Sequence, residues 1–319
     1  NGPGAVQIWD DSLEWMNDET PAPGTLEDPD AEAMDPTGTY ERPADGNFDY
    51  PDGAYGVQSW WDYGHWITVH GERIPNANPF QQGATEAANY LLAQNETAAD
   101  DALAEKMGED GETRYVMIDS QMVSPGQKFS APTVFKDDVS RSDFFEIARP
   151  ITTDERVGQP QILRTQQYYD SQMIRLYLSH GSAIEPRPIA VNTRQQQLQT
   201  EAGGTVEATV FRQEEDLETF NTTDEARTFV NENPNFELRG IGETPPLRVD
   251  ALENYRLVHA NSRQSSVFSQ RYEYGSFVKT FEKVPGATIQ GSGAPAGSEV
   301  IASVEIEIPT TDPTFPSRQ

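Results

Sequence analysis

Three of the five tryptophans fall within seven residues, at Trp60, Trp61 and Trp66. A chain must bury that much indole in a core or display it at a binding site. The stretch reads Ser59-Trp60-Trp61-Asp62-Tyr63-Gly64. Ser59 suits a helix N-cap, and Asp62, three residues on, completes a capping box at the positive end of the helix dipole. A helix over residues 59–70 puts Trp60, Gly64 and Ile67 on one face, with Tyr63 beside them. Trp61, His65 and Thr68 form the next face. Gly64 admits the close approach of another backbone or of a ligand. On local physics alone, Asp62 is a cap and the tryptophans are core.

The core around them is drawn from 319 residues, of which 35% are hydrophobic. That length suits one large or two modest domains. Against 23 basic side chains stand 52 acidic ones, for a net charge of −29. Lysine is scarce, confined to Lys106, Lys128, Lys136, Lys279 and Lys283. An acidic, lysine-poor surface suits concentrated salt, where its self-repulsion is screened. It excludes nucleic acid as a partner, because a phosphate-binding face is basic. With no cysteine there is no disulfide framework, thiolate zinc site or Cys nucleophile. No apolar run approaches the ~20 residues of a membrane span.

Read in order, the chain predicts an α+β fold. A short helix over 8–16 stops at Thr20-Pro21. Residues 21–53, acidic and rich in Pro and Gly, read as a long surface loop. The tryptophan-bearing helix follows, then helices over 84–93 and 98–107 and a buried strand over 115–118 that ends at Asp119. Tyr169, Met173, Leu176 and Tyr177 give a helix over 168–180 its core face, and Gly181 ends it. Beyond Pro186 and Pro188 strands dominate, at 206–211, 236–241, 255–260, 277–284 and 300–308, with one helix over 223–231. The expected organisation is a helix-rich central core over 1–186 and a β-rich, sandwich-like peripheral domain over 187–319.

Trp60-Trp61-Asp62-Tyr63-Gly64 resembles the signature pentapeptide of the oligosaccharyltransferase catalytic subunit. That family glycosylates asparagine in Asn-X-Ser/Thr sequons. The run from Arg73 to Gln81 (Arg-Ile-Pro-Asn-Ala-Asn-Pro-Phe-Gln) is similar to the segment that follows the pentapeptide in the archaeal branch, the AglB family. The stretch from Trp9 to Thr20 resembles the family's lead-in helix. Asp119-x-x-Met122 resembles one form of its second motif. The lysine of that form stands four residues after the methionine. Here Gly126 holds that place, and Lys128 lies two residues later.

The resemblance implies an acceptor-binding site made of Trp60, Trp61, Asp62, Tyr63 and Gly64, with Asp119, Met122 and Lys128 as its second wall. A carboxylate accepts from a hydroxyl, an indole N–H donates to it, and ring faces pack a methyl. A pocket that demands a hydroxyl rejects analogues lacking one by powers of ten. The resemblance further implies that this is the C-terminal globular part of a membrane enzyme, on the extracellular face of the cell membrane. Its partners are then an Asn-X-Ser/Thr polypeptide and, through the membrane part, a lipid-linked oligosaccharide of the dolichyl phosphate type. Mn2+ or Mg2+ serves the full-length enzyme from loops outside this chain. No catalytic or metal residue is expected here, and the isolated chain is expected to be inactive. Alternatives from the residues alone are a cell-surface β-sandwich that binds carbohydrate or protein, and a glycoside hydrolase using two carboxylates. Two sequons, Asn95-Glu96-Thr97 and Asn221-Thr222-Thr223, occur in the chain itself, a number that chance can supply.

Overall fold

The structure, a computed structural model, describes residues 3–41, 48, 50–104, 112–199, 203–265, 275–286, 291–293, 295, 297 and 298. Its helices in chain order are α1 (Pro3–Val6), α2 (Asp10–Glu19), α3 (Gly64–Val69), α4 (Ala84–Leu91), α5 (Glu96–Leu103), α6 (Gln166–Asp170), α7 (Gln172–Ser179) and α8 (Thr223–Glu232). The strands are β1 (Tyr55–Gln58), β2 (Ile74–Pro75), β3 (Glu112–Asp119), β4 (Phe145–Ile151), β5 (Gln161–Arg164), β6 (Ile189–Val191), β7 (Arg194–Gln199), β8 (Thr205–Arg212), β9 (Leu217–Thr219), β10 (Glu237–Ile241), β11 (Tyr255–Ala260) and β12 (Val278–Lys283). The fold is α+β. The chain divides into two compact units. One takes Asn1–Tyr90, Asp100–Ser124 and Glu253–Gln319, the other Leu91–Ala99 and Pro125–Leu252. The boundary expected at 186/187 falls within the second unit.

The first unit is built on a mixed five-stranded sheet in the order β11-β12-β3-β1-β2. Strand β1 runs parallel to both β2 and β3, while β12 is antiparallel to β3 and to β11. All four residues of β1 are buried, the continuous burial of a central strand covered on both faces. Glu282 of β12 locks the register. It accepts from Arg114 of β3 at 2.6 Å and from Nε of Arg256 of β11 at 2.7 Å. Helix α2 lays Leu13 and Met16 into this core, one helical step apart. The acidic loop after it is closed at its base, where Gly24 N–H donates to Gly53 O at 3.0 Å. Both glycines sit at positive φ, 90° and 71°, which glycine alone adopts freely.

Within this core lies His259, 1% exposed. Its ring stacks on Trp15 at 4.8 Å. Burial pulls the imidazole pKa down to about 4, against a small opposing pull from Asp11. Because the folded pKa is depressed, the unfolded chain takes up the proton first. The stabilisation is complete above about pH 6.5 and is lost as pH falls towards 4. At pH 5 the loss amounts to about 2 kcal/mol. Melting curves in molar KCl should therefore show the wild type losing ground to His259→Leu between pH 7.5 and pH 5. An unchanged gap between the two proteins would refute a neutral, buried His259.

The second unit carries a seven-stranded sheet in the order β7-β8-β4-β5-β10-β6-β9. Only the β4–β8 pairing is parallel. Ala148, Leu163, Ile189, Val191 and Phe211 form its core cluster, with Leu217 against it. The helix expected over 168–180 is two, α6 and α7. Ser171 is extended between them (φ −63°, ψ 138°), and its Oγ donates to Tyr168 O at 2.7 Å. Met173, Leu176 and Tyr177 are core residues. His180 ends α7 in the left-handed region (φ 53°), followed by Gly181 at φ 81°. One expectation needs correction. The strands expected at 255–260 and 277–284 exist, but they pair into the first unit's sheet. The strand expected at 300–308 lies outside the described residues.

Candidate functional site

The tryptophan stretch leaves the end of β1. Gln58 and Asn76, both against the sheet, are joined side chain to side chain at 3.1 Å, and Asn76 also donates to Thr113 Oγ1 at 2.8 Å. Ser59 then sends its hydroxyl to Met117 O of β3 at 2.8 Å. The expected N-cap does not form, because no helix starts at Ser59. Trp60 stays extended (φ −69°, ψ 143°), residues Trp61–Tyr63 make one 3-10 turn, and α3 starts only at Gly64. The capping box expected of Asp62 goes with Ser59, since neither half of it is at a helix N-cap. The expected division of faces survives the shift. Trp60, Tyr63, Gly64 and Ile67 are buried, whereas Trp61, Asp62 and Thr68 are half-buried and His65 is exposed.

Packing fixes the turn from two sides. Tyr63 stacks on Trp9 at 4.4 Å and on Trp66 at 5.4 Å. Trp9 and Trp66 meet at 5.8 Å, edge to face. On the other side Gly64 touches the backbone of the 76–82 segment. A Cβ on Gly64 would stand 2.0 Å from Ala77 O and 2.9 Å from Asn78 Cα. That segment is itself a built turn. Asn78 Oδ1 accepts from Phe80 N–H at 3.0 Å, and its Nδ2 donates to Gln82 Oε1 at 2.8 Å. The close approach foreseen for Gly64 is thus to backbone, and it joins two stretches picked out in the sequence.

Asp119 ends β3, 1% exposed. Its Oδ1 accepts from Met122 N–H at 3.0 Å, so the Asp-x-x-Met spacing is an Asx-type cap on the turn after the strand. Its carboxylate also faces Tyr63. Burial pushes the Tyr63 phenol well above its ordinary pKa. The charge of Asp119 and the hydrogen bond it accepts push it further, and Asp62 adds to this. The phenol is therefore a fixed donor. It connects the pentapeptide to the Asp119–Met122 turn inside one unit. Met122 is 1% exposed and packs in the core. Lys128 belongs to the second unit, where it is half-buried on a turn closed by Ala131 N–H to Lys128 O at 2.8 Å.

Sequence reasoning passed over Arg73, which is 2% exposed. Its Nη2 donates to the carbonyls of Met16, Asn17 and Thr20 at 3.0, 3.0 and 2.7 Å, and Nε to Thr20 Oγ1 at 2.9 Å. A cation placed on the last carbonyls of α2 meets the negative end of that helix and satisfies its orphan acceptors. Trp9 at the start of α2 and Arg73 at its end thus hold the lead-in helix against the pentapeptide. The signal for Arg73 was available in its placement at the head of the 73–81 run.

Trp61 and Asp62 are therefore the members of the pentapeptide that reach the surface, on a turn whose other residues are fixed in the core. A carboxylate can accept from a hydroxyl, and an indole face can pack a methyl. Among the described residues no three His, Cys, Asp or Glu side chains gather closely enough to hold a metal ion. No helix among them is long and apolar enough to cross a membrane.

The model of the AglB core domain matches residues 6–123, which takes in Trp9, the pentapeptide, Arg73 and Met122. The chain is 48% identical, over 98% of its length, to the dolichyl-monophosphooligosaccharide–protein glycotransferase AglB of Haloferax volcanii. It is 37% identical, over 37% of its length, to dolichyl-phosphooligosaccharide-protein glycotransferase 3 of Archaeoglobus fulgidus. It covers 32% of the first relative and 14% of the second, so it spans a third or less of their lengths. A crystal structure of the Archaeoglobus fulgidus oligosaccharyltransferase in complex with zinc and sulfate aligns with 87% of this chain and 35% of that one, at a TM-score of 0.47 and 20% identity.

Proposed function

We propose, for a chain that belongs to the AglB family, that it is the acceptor-reading part of a membrane oligosaccharyltransferase. The observation that carries this reading is the pairing of exposures in the pentapeptide. Trp60, Tyr63 and Gly64 are spent on the core, while Trp61 and Asp62 stand half-buried at the surface. Asp62 accepts from the hydroxyl of Ser or Thr in the acceptor sequon. The Trp61 ring lies against the threonine methyl. Asp119 is a positioning residue that acts through Tyr63, and Met122 acts through Asp119. Lys128 is assigned to acceptor binding on the resemblance of its motif alone.

The full-length protein moves an oligosaccharide from a dolichyl phosphate-type lipid to the sequon asparagine. It does so at the extracellular face of the cell membrane, with Mn2+ or Mg2+ held by parts outside this chain. Two results test it. A photoreactive Asn-X-Thr peptide should cross-link the membrane-complete enzyme at residues 60–64, and labelling of this region only at positions remote from the pentapeptide would overturn the assignment. The chain by itself, given lipid-linked donor, peptide and manganese, should transfer no glycan. Turnover by the chain alone would place the transfer chemistry here instead.

A further inference from the structure

Two sequons stand in the chain, and their backbones differ. Asn95 is tied into helix α5, where its Oδ1 accepts from Ala98 N–H at 2.9 Å and Glu96 is already helical. In a helix, residues i and i+2 do not share a face, so Asn95 and Thr97 diverge. Asn221 precedes α8. The residue between Asn221 and Thr223 is Thr222, fully extended at φ −132° and ψ 154°. Extended backbone places residues i and i+2 on one side, so the Asn221 amide and the Thr223 hydroxyl present together. Asn221 is exposed, and among the described residues nothing bonds to its amide. Both flanks are anchored. Phe220 packs on Phe229 at 5.2 Å, and its N–H donates to Pro188 O at 3.1 Å. Thr222 forms a reciprocal capping box with Glu225. A bulky, polar adduct on Asn221 projects into solvent without disturbing either.

We propose that Asn221 is itself an N-glycan acceptor, and that Asn95 is not. The co-reactant is an oligosaccharide joined to a lipid phosphate. The Asn221 side-chain nitrogen bonds to the anomeric carbon of the first sugar. The bond from that carbon to the phosphate oxygen breaks, the lipid phosphate leaves with the electron pair, and the amide proton goes to a base of the transferase. Nothing is oxidised or reduced. The inference rests on the reading above only in placing this face of the protein outside the cell.

The test uses full-length protein purified from haloarchaeal cells whose exterior glycoproteins carry N-glycans. Trypsin releases residues 213–227, between Arg212 and Arg227, with Asn221 inside. Mass spectrometry should find this peptide shifted by sugar residues, and the peptide bearing Asn95 unshifted. The shift should vanish in Asn221→Gln and Thr223→Val and persist in Thr223→Ser, with melting curves confirming that each variant folds. An unmodified 213–227 peptide from such cells would overturn the proposal, and so would a glycan on Asn95 in its place. Failure of the oligosaccharyltransferase reading shows separately, as exterior glycoproteins that keep their glycans when the gene for this protein is deleted.

Discussion

Gly64→Ala should leave little folded protein. The dihedrals of Gly64, φ −55° and ψ −39°, are those of an ordinary helix, where alanine is favoured over glycine by about 1 kcal/mol. Sterics decide the matter the other way. The added Cβ would lie 2.0 Å from Ala77 O, and both sides of that contact are backbone, so no rotamer change relieves it. The 76–82 turn would have to move away by more than an ångström, while the Asn76 and Asn78 hydrogen bonds hold it in place. Overpacking that side chains can absorb costs about 1–3 kcal/mol, and backbone displacement more. A net loss of about 3 kcal/mol or more is expected, read as a collapsed melting temperature in molar KCl and as loss of the near-UV signal from the Trp9–Tyr63–Trp66 stack. Gly126→Ala is the control, because a Cβ there meets nothing within 4 Å. Equal stability of the two variants would show that the pentapeptide glycine is free of the 76–82 turn.

The same contact shows how far the sequence could be read. Helical spacing divided the 59–70 stretch into the faces that the structure buries and exposes, although the helix starts at Gly64. A 3-10 turn feeding an α-helix keeps nearly the same angular order. The cap at Ser59 failed because the backbone stays extended through Trp60 and the helix starts only at Gly64, while the Ser59 hydroxyl donates to Met117 O, 58 residues away in sequence, where local rules do not look. Sheet partners failed for the same reason. Alternation marks β11 and β12 as strands, yet nothing in their pattern names β3 as the strand they join. Strand β4 went unread because Pro150 interrupts it, a residue that argues against a strand interior. In place of a backbone donor, Pro150 offers its carbonyl, which accepts from Gly158 N–H at 2.8 Å. The acid network of Glu282 with Arg114 and Arg256 was hidden among 52 carboxylates, where any one pairing is invisible until the strands are set side by side. The site itself was legible as a string of residues. Its division into core and surface members was not, because Trp60 and Trp61 are the same residue type and only the extended backbone at Trp60 separates their fates.

Asp62→Asn should separate a structural role from a recognition role. With no helix starting at Ser59, Asp62 is no partner in a capping box, and the amide keeps the shape of the carboxylate. The substitution should therefore change stability by less than about 1 kcal/mol, the scale of surface substitutions and weak caps. The acceptor hydroxyl, in contrast, loses a charged acceptor for a neutral one. A charge-assisted hydrogen bond is worth about 1.5–3 kcal/mol, and at 1.4 kcal/mol per decade that is a fall of about one to two powers of ten in kcat/KM for an Asn-X-Thr peptide. Trp61→Phe should act in the same direction by shrinking the ring face that packs the threonine methyl, and Lys128→Ala should be milder. The assay is peptide glycosylation by the membrane-complete enzyme, with a melting curve for each variant and with Tyr63→Phe beside them. Tyr63→Phe removes the donor to Asp119 and acts on the turn from behind, so it should lower both activity and stability, whereas Asp62→Asn lowers activity alone. Wild-type turnover in Asp62→Asn together with a depressed melting temperature would assign Asp62 to the fold and leave the hydroxyl to be read elsewhere.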